Sequence, residues 1–260
     1  MNLLIWLRQG FPLRINIGLL TAAIVLTILF GRVEGSVTNI ACLIIASILI
    51  CIAIGPSIFR EVMEQLRAGD LRKLDSSDSI WKEIDTIRRD MSIKWTIAVK
   101  VRSNWPNVES KFRSVTIGQT VLDTFNVGDR KSIFAHELAH IKKCHPFWKL
   151  IIMALIIFIL LFVAYHLPWI QFKPSALILS TIAMIGILSR FIMWPFEYQA
   201  DFVASEFAEE KVFTRTLLSY GVLKNVNINH DFYFHPSISK RIINLNLSKK
   251  ARIVKWYLEI

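Results

Sequence analysis

The sequence predicts a mainly α integral membrane protein, in which four transmembrane helices accompany a cytoplasmic α+β domain with a small sheet. Three observations predict it. Apolar residues make up 53% of the 260-residue chain and mean hydropathy is +0.45, too apolar for an ordinary soluble domain. They collect in four stretches free of Asp, Glu, Lys and Arg, at 15–31, 35–59, 150–172 and 174–189. Between the second and third stretches, the hydrophobic period changes from helical to alternating and back to helical.

A helix needs about 20 apolar residues to cross the hydrocarbon core, with a range of about 17–25. The second and third stretches qualify and the first is near the minimum. The fourth is short unless it extends through 191–196 beyond Arg190, and its alternative is a buried or re-entrant helix. Arg8 and Arg14 ahead of the first run resemble a signal peptide. However, Phe30-Gly31-Arg32 leads into the next run with no small-residue cleavage pattern, which predicts an uncleaved anchor.

After the first hairpin, Pro56 to Gly69 reads as a helix ended by Gly69-Asp70. Ile80, Ile84, Ile87 and Met91 predict an amphipathic helix. Ile93, Trp95, Ile97, Val99 and Val101 then alternate with more polar partners, which predicts a half-buried strand over 93–102. Asn104-Trp105-Pro106-Asn107 is turn chemistry, and Val115 and Ile117 suggest a shorter strand within 113–118. Helical character returns with Asp129 as the expected N-cap and runs through Lys143, close to the next apolar stretch. The expected organisation is an N-terminal hairpin over 1–59, a cytoplasmic part over 60–146, a second hairpin over 147–196 and a cytoplasmic C-terminal part over 197–260.

The net charge of +11 does not point to nucleic acid, because the charges are mixed. Segment 60–143 holds 16 basic and 12 acidic residues, and 197–260 holds 9 and 7. The short connections at 32–34 and 173 carry only Arg32 and Lys173 as cations, which places both polar segments on the cytoplasmic side. A basic excess there suits an anionic inner leaflet, so the expected partner is a lipid bilayer. Cys42, Cys51 and Cys144 form no disulfide framework, consistent with a reducing compartment.

The chemistry concentrates in His136-Glu137-Leu138-Ala139-His140. Residues i and i+4 share a helix face, so both imidazoles can bind one metal ion, and Glu137 can take a proton from the attacking water. With 6 His and 11 Glu in the chain, chance supplies only about 0.006 such matches. A catalytic zinc takes a third protein ligand and leaves a fourth position open. His145 lies five residues beyond His140, a helix position that points away from the histidine face, and His166 sits inside an apolar run. Cys144 fits no usual ligand spacing. Glu197 is the strongest candidate: it opens Glu197-Tyr198-Gln199-Ala200-Asp201 where the fourth stretch returns to the cytoplasmic side. Asp201 would share its face and fix a ligand histidine's tautomer.

HExxH, a membrane hairpin and then Glu-x-x-Ala-Asp resemble the HtpX-like membrane zinc peptidases, relatives of the CAAX prenyl proteases. Ser189-Arg190, His235-Pro236-Ser237 and Arg241-Ile242 add to the likeness, which covers residues 113–245 together with the N-terminal hairpin. The apolar approach Phe191 to Phe196 departs from the family's more basic run, and Pro195 disfavours a continuous helix through Trp194. The resemblance implies a gluzincin-like catalytic domain with one Zn2+ per chain held by His136, His140 and Glu197. It makes Glu137 the general base and Asp201 a residue behind the ligands. His235 would steady the developing oxyanion and Arg241 would hold acidic groups. It further implies a bacterial plasma-membrane endopeptidase that acts on misfolded or membrane proteins. A signalling protease with one substrate and a non-catalytic metal-stabilised scaffold are the alternatives; a scaffold has no use for Glu137.

Overall fold

The computed structural model describes residues 19, 22–24, 44–50, 69–166, 174–229, 231 and 235–250. Its elements are β1 (Leu71–Lys73), α1 (Ser79–Asp90), β2 (Ala98–Arg102), β3 (Val108–Lys111), β4 (Ser114–Gly118) and α2 (Gln119–Thr124). There follow α3 (Val127–Lys142), α4 (His145–His166), α5 (Pro174–Phe207), α6 (Glu210–Leu223) and α7 (Ile238–Lys250). The chain divides into two compact units, one of 1–61, 149–193 and 231–235, the other of 62–148, 194–230 and 236–260.

The second unit is an α+β domain with a four-stranded mixed sheet in the order β1-β2-β4-β3. β2 runs parallel to β4, while β1 and β3 pair antiparallel at the two sides. Alternation in β2 and β4 puts Val99, Val101, Val115 and Ile117 into the core, where they meet Ile84, Ile87 and Met91 around α1 and Phe134 and Leu138 of α3. Each such side chain, fully buried, contributes about 1.5–3 kcal/mol. Glycine is required at 118, where an added Cβ would sit 1.6 Å from the carbonyl oxygen of Trp105.

Several expectations change. The alternating run over 93–102 becomes a strand only from Ala98, because β4 offers partners from Ser114 onward and β1 pairs with 100–102 alone. Ile93 and Ile97 are still buried, and Arg88 donates to the carbonyl of Ile93 at 2.6 Å, which replaces a ladder bond. The N-cap of α3 is Asn126 rather than Asp129: its side chain accepts from the Asp129 amide, and its own amide group donates back to the Asp129 carboxylate. α5 runs through Pro195 instead of ending before it. Contacts on both sides of the proline outweigh its local penalty: the Lys240 ammonium sits 4.7 Å from the Trp194 ring centroid, and Phe196 stacks on His145.

In the first unit, Ala23, Ala46, Ile50 and Ala183 form a small buried cluster with Leu19, Ile24, Leu49 and Leu179 around it. Among the described residues, no helix is long and apolar enough to cross a membrane. The expected spans over 15–31 and 35–59, and the helix from Pro56 to Gly69, lie largely outside the described residues. α4 follows the third apolar stretch to His166, and α5 begins with the fourth.

Candidate metal centre

α3 is capped at Asn126 and buries residues around most of its circumference, Phe134, Ala135, Leu138 and Ala139 among them. His136 and His140 project from one face of it, both buried, with their Nε2 atoms 3.2 Å apart. Glu197 comes from α5 and is 2% exposed. Its Oε2 lies 3.6 Å from His136 Nε2 and its Oε1 3.5 Å from His140 Nε2. Glu137 is half-buried on the same helix.

These distances test whether the residues present suit a metal. A tetrahedral ion with arms of about 2.1 Å sets its ligand atoms about 3.4 Å apart. The two Nε2 atoms are 3.2 Å apart, and each has a Glu197 oxygen close to that spacing, Oε2 at 3.6 Å from His136 and Oε1 at 3.5 Å from His140. One ligand atom from each residue can be chosen so that all lie within 4.8 Å of one another. Two imidazoles and one carboxylate form a donor set typical of catalytic zinc, with a fourth position left for water or substrate. The residues fit.

Behind the donors lies a charged layer. Asp201, wholly buried, has Oδ1 2.9 Å from His136 Nδ1. Arg241 at the start of α7 forks onto both Asp201 oxygens, its Nε donating to Oδ2 at 2.8 Å. The same guanidinium reaches within 4.0 Å of Glu197. Burial works against a charged His136, but hydrogen bonds to Asp201 and Glu197 win and push its pKa up to about 9. Burial likewise opposes ionisation of Asp201, yet the Arg241 guanidinium holds its carboxyl below the usual range, and Asp201 in turn pushes the Arg241 pKa up. Phe213 of α6 stacks on His136 with ring centroids 6.5 Å apart.

His145 is where the geometry departs most from the expectation. It does not point away from the histidine face: it is buried, and its Nδ1 lies 2.8 Å from His140 Nδ1. The cause is local. α3 stops at Lys142, Cys144 takes a left-handed φ of 55°, and the chain reverses so that His145 opens α4. The helical projection fails because the helix has ended. On the other side, His145 Nε2 meets Gln199 Oε1 at 2.6 Å. Gln199 falls inside the Glu197–Asp201 segment, but no spacing rule pairs it with a histidine at the start of the preceding helix. His235 is exposed in the bend ahead of α7. The side chain of His166 is not among the described ones.

No curated protein matches the chain. The sequence model of peptidase family M48 matches residues 97–248, a span that contains the HExxH helix, Glu197, Asp201 and Arg241. With a His-His-Glu cluster of metal-ligand geometry inside that span, the chain belongs to peptidase family M48 and is a metallopeptidase by family.

Proposed function

We propose that the protein is a membrane-embedded zinc endopeptidase whose catalytic domain faces the cytoplasm and whose substrates are misfolded or membrane polypeptides. The observation that carries the peptidase reading is the convergence of His136, His140 and Glu197 beside Glu137. Zinc held by those three residues would polarise the scissile carbonyl and acidify the attacking water. Glu137 accepts the proton of that water and returns it to the departing amine. Asp201, itself fixed by Arg241, receives the Nδ1–H of His136 and so keeps its Nε2 turned to the ion. The oxyanion role of His235 rests on the family resemblance alone.

Substrate binding is assigned to a sheet edge. The strands expected over 93–102 and 113–118 cannot serve, because β2 and β4 are paired on both sides. Among the described residues the outer strands of the sheet are β1 and β3, and β3 packs against α3, which carries the histidines; the outward amide of Val108 is already taken by the Tyr220 hydroxyl. An extended peptide added to β3 gains main-chain hydrogen bonds with little demand on its sequence. That suits a role in quality control of membrane proteins.

Support for the bilayer comes from the four charge-free stretches and from α4, where Leu150, Leu155, Phe158 and Phe162 are more than half exposed. Apolar area of that extent on one helix calls for a covering phase. The test is cleavage of casein by the detergent-purified protein and by Glu137→Gln, with bound metal measured in both. Wild type is expected to cleave, and Glu137→Gln to retain about one zinc and lose at least 100-fold in turnover. Equal cleavage by both would remove Glu137 from the mechanism. Zinc in both with cleavage in neither would favour a scaffold or a protease with one dedicated substrate.

A further inference from the structure

We propose that His145 and Gln199 form a positioning relay behind His140, fixing the tautomer in which His140 turns an unprotonated Nε2 to a divalent cation; this rests on the metal-centre reading above. His140 Nδ1 lies 2.8 Å from His145 Nδ1, and His145 Nε2 lies 2.6 Å from Gln199 Oε1. All three side chains are buried. An amide oxygen only accepts, so His145 Nε2 carries the proton and donates it. Neutral imidazole has a single N–H, which leaves His145 Nδ1 as the acceptor for the Nδ1–H of His140. His140 Nε2 is then a lone pair, and it is this atom that lies 3.2 Å from His136 Nε2 and 3.5 Å from Glu197 Oε1.

The direction of the relay matters. If Gln199 presented its NH2 instead, each proton would move one place along and His140 Nε2 would be protonated, closing it to a metal. Two contacts hold His145 in place: its ring stacks on Phe196 with centroids 4.6 Å apart, and its backbone follows directly on the left-handed turn at Cys144. The two ligand histidines are thus oriented by different chemistry. His136 leans on the carboxylate of Asp201, whereas His140 leans on a neutral chain. A second buried carboxylate behind His140 would add negative charge to a site that already contains Glu197 and Asp201. The relay orients without that cost.

Zinc affinity of the purified full-length chain, by chelator competition at one pH, tests this independently of turnover. The absorption of the cobalt-loaded protein reports ligand geometry in the same samples. His145→Leu fills the space without an acceptor and is expected to weaken zinc binding about 10–100-fold. His145→Asn places an amide oxygen near the Nδ1 position and is expected to recover most of that loss. Gln199→Glu, whose carboxylate accepts and has no N–H to donate, is expected to hold zinc at least as well as wild type, whereas Gln199→Leu weakens it. Wild-type affinity in His145→Leu would overturn the relay. So would Asn no better than Leu at 145, or Gln199→Glu as weak as Gln199→Leu. If His145→Leu does not fold, the Gln199 pair decides alone. Absence of zinc from the wild type would instead overturn the metal-centre reading.

Discussion

Asp201 shows how much one buried carboxylate can organise. It satisfies the Arg241 fork and receives the His136 imidazole, and all three are buried or nearly so. Replacing Asp201 with Ala removes the two hydrogen bonds of the buried guanidinium and leaves Glu197, 4.0 Å away, as its nearest counter-charge, which costs about 3–5 kcal/mol. Urea denaturation of Asp201→Ala should show a loss of that size, and a loss under about 1 kcal/mol would mean that Arg241 finds water. His136 sets a pH dependence of the opposite kind from a carboxylate. Its folded pKa of about 9 lies above the unfolded value of 6.5. The charged imidazole therefore stabilises the metal-free fold fully below pH 6.5, and that contribution is lost as pH rises through 9. Melting temperatures of the chelated protein should fall between those limits, and a rise would reverse the assigned charge.

At the scale of elements, the turn between α3 and α4 does more than connect. Cys144 has φ 55°, donates its amide to the Ile141 carbonyl and accepts with its own carbonyl from Phe147 and Trp148. It thus closes one helix and opens the next. A residue with a Cβ adopts that conformation at a cost of about 1–2 kcal/mol, which glycine avoids. Cys144→Gly should raise stability by up to about 1 kcal/mol, and Cys144→Val should lower it. Because His145 follows directly, Cys144→Val should also weaken metal binding, a readout that separates misplacement of His145 from general destabilisation. Pro195 tells the complementary story: a residue that usually ends a helix lies inside α5, held by packing on both sides.

Across the whole domain, the sheet order decides where a substrate can bind. In β3 the amide of Val108 is directed to the Tyr220 hydroxyl at 3.0 Å, away from β4. By the two-residue period of a strand, Ser110 presents its backbone outward as well. Ser110→Pro removes an outward donor and spares the ladder to β4. It should leave the fold intact and lower kcat/KM about 10-fold on an extended peptide, chiefly through KM. Unchanged kinetics in a folded Ser110→Pro protein would move the substrate to another surface.

The sequence by itself determined what depends on local periodicity. His136 and His140 share a face because four residues make about one helical turn, and α1 and β4 follow from their hydrophobic spacing. Glu197 and Asp201 were legible as a pair at i and i+4. Tertiary structure decided the rest. β1 and β3, three and four residues long and largely polar, carry no alternating apolar signal of their own and exist through their partners. The partnership of His145 with His140 and Gln199 required a helix to end at Cys144 and another helix to arrive alongside. Spacing rules describe a helix while it lasts; which chains meet after it ends is set by packing.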